Sequence, residues 1–338
     1  MTTRRILLGG AASCLLVGAH SSPCAQPAQR PRRIGYIGFQ PPGVSAESDR
    51  LWSFFVRTMG ERGHVEGRNT VFVRRAIAGS PDRIPALVAE LVGMPVDVLV
   101  INGSSSAVLA AMKATTTIPI VFMGVADPVA SRLVDTLARP GGNVTGLSTM
   151  NFDLALKRLE LLKVALPKIE RVALITNDNG ILDKAAFDAG RRAQDATART
   201  LGIRLIRVDM DARQDFDRAI AAITQERPDA LAIAGTITTA VLAREIAEFA
   251  IGMKLPEIAT SRYEAAAGAL MSYGTSLDDQ FFRTASYVAR ILDGARPADL
   301  PVEQPTKFEF VVNLRTARLI GITLPASALL RADEVIDS

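Results

Sequence analysis

From residue 33 onward, two hydrophobic rhythms alternate along the chain: short unbroken apolar runs, and longer stretches with an apolar stripe every third or fourth position. Unbroken runs bounded by turn residues predict buried strands, and stripes predict helices packed on them. The first set of strands is expected at 34–39, 70–76, 97–101, 118–123 and 144–148. Helices are expected between them at 49–62, 82–92 and 105–114. The helix at 49–62 carries a stripe through Leu51, Phe54, Phe55, Thr58 and Met59. Ser80-Pro81 supplies an N-cap and a first-turn proline for the helix at 82–92.

A second set follows. The helix at 154–166 is expected to bury Leu159, Leu162 and Leu166 and to leave Lys157, Arg158, Glu160 and Lys163 in water. Strands at 172–176, 204–208, 230–234, 257–260 and 270–273 alternate with helices at 184–201, 215–225 and 239–253. Gly202 stands where a helix C-terminus prefers glycine. A helix at 277–292, an extended stretch at 299–314 with Pro301 and Pro305, and helices at 316–320 and 325–330 complete the chain. Strands alternating with helices imply parallel sheets covered on both faces. The expected class is therefore α/β, with two doubly wound parallel-sheet lobes split near residues 148–152. The two sets share a pattern and no residue-level repeat.

Composition changes the picture in three ways. At 338 residues and 48% hydrophobic, the chain can bury two ordinary cores. No apolar run approaches the ~20 residues that span a bilayer. Residues 1–25 read as an export signal, with Arg4-Arg5 ahead of a short apolar stretch. Arginine pairs of this kind suit the twin-arginine route, and an ordinary secretory signal fits equally well. Cys24 would suit a lipid attachment site, but Pro23 directly before it argues against one. Loss of Arg4 and Arg5 lowers the formal charge from +4 to +2, too weak a field to suggest nucleic acid. Residues 26–32 read as a polar linker.

Both cysteines, Cys14 and Cys24, lie in this leader, as does His20. The exported chain is left without cysteine and with one histidine, His64, in a turn at 60–67 that reads as solvated. This excludes disulfides, thiol nucleophiles and cysteine zinc sites. No catalytic residue, metal or cofactor is expected, and the chain reads as a binding protein rather than an enzyme. Gly35-x-x-Gly38 and Gly141-Gly142 lack the spacing of dinucleotide and phosphate loops.

The segment at 118–146, IPIVFMGVADPVASRLVDTLARPGGNVTG, carries the most information. A buried strand runs into Asp127-Pro128, then a short helical segment, then a Pro-Gly-Gly-Asn turn into another strand. Open α/β sheets bind ligands just beyond such strand ends. The segment closely resembles the DPV…PGGNVTG core of the ABC transporter substrate-binding protein family, whose tryptophan and amino-acid receptors have the type I periplasmic-binding fold. The resemblance extends to Gly63-x-x-Glu66-Gly67-Arg68-Asn69, to 157–163 (KRLELLK) and to 301–308 (PVEQPTKF).

That resemblance implies lobes of residues 33–148 with 275–300 and of 149–274 with 301–338, joined by three crossings near 148, 275 and 301. It also implies an exported, monomeric, periplasmic receptor that delivers a small-molecule solute of amino-acid, aromatic or carboxylate type to an ABC permease by hinge closure. The other readings of the same lobes are a ligand-responsive regulator and a Rossmann-like enzyme.

Ligand contacts are expected where strands end. Asn102, Ser104 and Ser105 follow the strand at 97–101, and Gln40 follows the first strand. Asp127 can cap a helix or accept from a ligand donor. From the second lobe, Asn177 and Asp178, Thr236 and Thr238, Tyr263 and Tyr273 occupy equivalent ends. Amino-acid-binding members of the resembled family typically carry an acidic residue after the strands corresponding to 144–148 and 230–234. Here those places hold Thr149-Met150-Asn151 and Gly235-Thr236. A buried ammonium without a counter-charge is costly, so a neutral or anionic, aromatic solute is expected instead.

Overall fold

Two separate sheets carry the chain, one built before Ser148 and the other after it. The structure is a computed structural model that describes residues 30–41, 43, 45–78, 80–177 and 184–337, the side chains of 184–186 excepted. The leader and Asp178 lie outside the described residues.

The first sheet uses β1 (Arg32–Gly38), β2 (Thr70–Ala76), β3 (Val98–Asn102), β4 (Ile120–Val125) and β5 (Val144–Ser148) in the order β2-β1-β3-β4-β5, all parallel. Helices α1 (Ala46–Glu61), α2 (Ile84–Val92) and α3 (Ser105–Ala114) connect them. Side chains alternate across each strand. Ile34, Val98, Val100 and Val121 pack with Phe55 and Met59 on one face. Ile37, Leu99, Ile101 and Ile120 pack with Leu87, Leu91 and Val108 on the other. Burial on both faces is why these strands read as continuous apolar runs.

The second sheet follows α4 (Asn151–Ala165). It comprises β6 (Arg171–Thr176), β7 (Arg204–Asp209), β8 (Ala230–Ile233), β9 (Glu257–Ala259), β10 (Met271–Thr275), β11 (Phe308–Asn313) and β12 (Glu334–Ile336), in the order β12-β11-β10-β9-β8-β6-β7. The intervening helices are α5 (Lys184–Thr200), α6 (Phe216–Glu226), α7 (Ile237–Val241), α8 (Ala243–Gly252), α9 (Arg262–Ala267), α10 (Leu277–Leu292), α11 (Leu314–Ile320) and α12 (Ala326–Leu329). The pairing is parallel except for β10 with β11, which run antiparallel.

After β10 the chain returns to the first sheet. Phe281, Ala285 and Val288 of α10 complete the core around Ile34 and Phe55. Residues 300–303 then run beside β5. Thr145 Oγ1 donates to the Leu300 carbonyl at 2.6 Å, and Ser148 N to that of Glu303 at 2.9 Å. The chain next enters β11 of the second sheet.

Several local expectations are corrected. No helix follows Asp127-Pro128; the Asp127 carboxylate takes the amides of Val129 and Ala130 at 3.2 and 2.9 Å and closes a turn. Arg132 is left-handed (φ 55°), which stops a helix from propagating. Ser80 makes no side-chain cap, because a 3-10 turn at Pro81–Arg83 precedes α2. The helix expected at 239–253 is two helices broken at Leu242, which lies at φ −93°, ψ 14°.

His64 is buried rather than solvated, 7% exposed, with Nε2 3.4 Å from Asp293. Arg158 is 1% exposed rather than wet. Leu166, expected to be buried, is only partly so and packs at the edge of its core.

Candidate functional site

Two adjoining cavities, of about 170 and 330 Å3, open between residues of both sheets. They share Gly103, Gly124, Thr149, Asn151 and Gly235–Ile237 as a common wall. Left-handed glycines let the backbone itself form this wall. A Cβ on Gly103 (φ 69°) would overlap the Phe39 ring, and one on Gly235 (φ 82°) would meet Thr260 Cγ2 at 2.8 Å.

On the first-sheet side, the smaller cavity is walled by Tyr36, Phe39 and Gln40 at the end of β1, by Leu51 and Trp52 of α1, and by Arg74 of β2. Tyr36 meets Trp52 edge-on at 4.9 Å between ring centroids. Its hydroxyl accepts from Asn102 Nδ2 at 3.0 Å, and burial pushes its pKa up to about 12, so it stays neutral at physiological pH. The Arg74 guanidinium lies 4.9 Å from the Trp52 ring centroid. Gln40 Nε2 donates to the Tyr263 hydroxyl at 2.8 Å, joining the β1 end to α9.

The second-sheet side is organised by Arg158. Its guanidinium donates to the Tyr273 carbonyl at 3.1 Å and to Asn151 Oδ1 at 2.8 Å. Asn151 Nδ2 in turn donates to the Ala234 carbonyl at 2.5 Å, which holds the loop after β8. Burial lowers the Arg158 pKa to about 10, against the opposing pull of the Glu264 carboxylate; the group remains charged at neutral pH. Glu264 Oε2 accepts from Thr260 N, Thr260 Oγ1 and Ser261 Oγ at 2.9, 2.6 and 3.0 Å, fixing the start of α9.

Among the residues singled out in the sequence, Gln40, Asn102, Thr236 and Tyr263 line the smaller cavity. Ser105, Asn177, Thr236 and Thr238 line the larger one. Thr236 Oγ1 also caps α7 by accepting from Thr239 N at 3.1 Å, and Thr238 Oγ1 donates to the Asp211 carbonyl at 2.8 Å. Three residues line neither cavity. Ser104 accepts from Ala107 N at 3.1 Å as the cap of α3. Asp127 closes its own turn, and Tyr273 stacks on Phe308 at 6.3 Å.

Arg74, Trp52, Asn151, Arg158 and Glu264 were not anticipated as wall residues. Two carried a signal. Arg158 stands four residues from both Leu154 and Leu162, on the buried face of α4. Arg74 is two residues beyond Phe72, on the same face of β2. Glu264 carried none, because the short α9 shows no periodicity. It brings a carboxylate to the wall from a third strand end, after β9, apart from the two places after β5 and β8 that lack one.

This arrangement, with strand ends of two α/β sheets facing a shared cleft, is that of the type I periplasmic-binding-protein fold. The family described as ABC transporter substrate binding protein matches residues 52–336, and the chain belongs to it. It is 23% identical to the "Tyrosine-binding protein" of Clostridioides difficile (strain R20291) over 275 residues, 81% of this chain and 77% of that one.

Among solved structures, a conserved domain protein from Vibrio cholerae O1 biovar El Tor matches with a TM-score of 0.79 and 28% identity, over 90% of this chain and all of that one. A Streptococcus pneumoniae ABC domain in complex with L-Trp matches with a TM-score of 0.77 and 22% identity, over 90% and 100%. Among the described residues, no helix is long and apolar enough to cross a membrane.

Proposed function

We propose that the exported chain, beginning after residue 25, is an extracytoplasmic receptor that closes on a small solute and presents the closed form to an ABC permease. Its lobes are assigned as residues 33–148 with 275–300, and 149–274 with 301–338. The observation that carries this reading is the smaller cavity, whose wall draws on both sheets and is bridged by the Gln40–Tyr263 hydrogen bond. A solute there touches both lobes only when they are shut, so its binding energy favours the closed population.

No bond of the solute is made or broken. Among the described residues the one histidine, His64, is 3.4 Å from Asp293 and lines neither cavity. Gln40, Asn102, Ser105, Asn177, Thr236, Thr238 and Tyr263 are proposed as ligand contacts. Ser104, Asp127 and Tyr273 are proposed to hold the frame around them.

A thermal-shift screen of amino acids, aromatic acids and small carboxylates on the exported protein tests this reading. One chemical class should raise the melting temperature and be recovered unchanged from the mixture. Stabilisation by nucleotides alone, or conversion of the bound compound, would contradict it.

A further inference from the structure

We infer that the smaller cavity selects a small aromatic carboxylate without a free ammonium group, with Arg74 as the residue that receives the carboxylate. This rests on the receptor reading of that cavity and adds the charge and shape of its solute.

The charged residues of the wall are two arginines and one glutamate. Arg158 is committed to the Tyr273 carbonyl and Asn151, and Glu264 Oε2 to Thr260 and Ser261. Arg74 differs. Its side chain is 11% exposed, and its buried Nε–H has no hydrogen-bond partner. Asp49 stands 3.6 Å from Nη1, is 40% exposed, and also accepts from Gly43 N. Ser48 Oγ lies at a long 3.3 Å from Nη2. Arg74 lines the cavity with its charge loosely paired and one donor unused, which suits its guanidinium to receive an anion.

The carboxylate of the wall is already engaged, with Glu264 Oε2 accepting from Thr260 N, Thr260 Oγ1 and Ser261 Oγ. An ammonium would add a cation to a wall with two arginines against one carboxylate, and that carboxylate already faces the buried charge of Arg158.

Shape and polarity narrow the class further. The cavity volume of about 170 Å3 is close to the roughly 150 Å3 apolar cavity that accommodates benzene. One ring with a short acidic arm fits that volume. Tyr36, Trp52, Leu51 and Phe281 supply the apolar face for that ring. Gln40 is 7% exposed, and with Nε2 committed to Tyr263 its Oε1 is buried and unpartnered. A hydroxyl on the ring supplies the donor that Oε1 lacks.

Isothermal titration of the exported protein with 4-hydroxyphenylacetate, tyramine and L-tyrosine separates the charge requirements on one ring. The arylacetate should bind at least about tenfold more tightly than L-tyrosine, and tyramine should not bind. Arg74→Gln should weaken the arylacetate by at least about tenfold, the loss expected of a hydrogen bond between charged groups. Gln40→Leu should weaken it less.

Equal or tighter binding of L-tyrosine or tyramine overturns the assignment, as does an unchanged affinity in Arg74→Gln. Should Arg74→Gln fail to fold, the ligand series on the unaltered protein decides. If the arylacetate fails while another solute binds in the wider screen, the receptor reading stands and the carboxylate class falls. If no solute binds, both fall.

Discussion

Gln40 and Tyr263 meet across the cleft at 2.8 Å, one at the end of β1 and the other on α9 of the opposite sheet. Nearby, Arg262 of α9 lies 3.5 Å from Glu47 of α1. That second contact is partly exposed and contributes little on its own. The neutral hydrogen bond is the better-defined link, contributing about 1 kcal/mol. Tyr263→Phe should therefore shift the unliganded protein towards the open form by about fivefold. Energy transfer between dyes on the two lobes reads this directly, and an unchanged distribution would remove the link from the account.

Arg158 holds the second-sheet half of the site from beneath. Removing it takes a donor from Asn151 Oδ1 and the Tyr273 carbonyl, and the nearby cation from Glu264. Breaking a buried ionic arrangement in this way costs about 3–5 kcal/mol. Arg158→Ala should lower the free energy of urea unfolding by that amount. A loss below about 1 kcal/mol would show that the guanidinium does not carry this half of the wall.

Glu257 begins β9 and is 3% exposed, with a buried Oε2 that has no hydrogen-bond partner. Burial raises its pKa well above the ordinary glutamate value, and the Glu264 carboxylate raises it further. The folded state therefore holds this proton more tightly than the unfolded chain. The associated stability is fully present below the ordinary glutamate pKa and is lost as the pH rises through the folded value. Glu257→Gln should stabilise the protein more at pH 8 than at pH 4, in urea unfolding measured at both. An equal effect at the two values would contradict the assignment.

Export provides a separate check on the leader. If Arg4-Arg5 directs the twin-arginine route, replacing the pair by Lys-Lys should leave precursor in the cytoplasm. Continued appearance of the protein in the periplasmic fraction would instead assign the ordinary secretory route.

Much of the fold was legible because parallel strands buried on both faces leave unbroken apolar runs, as β3 and β4 do. Long-range events left no local mark. Nothing within 277–292 announces that α10 returns to the first sheet, or that β11 runs antiparallel to β10. At the site, strand ends pointed to Gln40, Asn102, Thr236 and Tyr263. Ser104, Asp127 and Tyr273 line neither cavity, and their side chains make a cap, a turn and a ring stack. Arg158 was hidden by its charge: the α4 stripe includes its position, and only the tertiary acceptors make an arginine tolerable there.

The most direct test of the receptor account is small-angle X-ray scattering of the exported protein, alone and with each compound that raises its melting temperature. The account predicts that a stabilising solute also reduces the radius of gyration, and that Tyr263→Phe begins from a larger value without solute. A compound that stabilises the protein and leaves its dimensions unchanged would contradict closure of two lobes around a shared cavity.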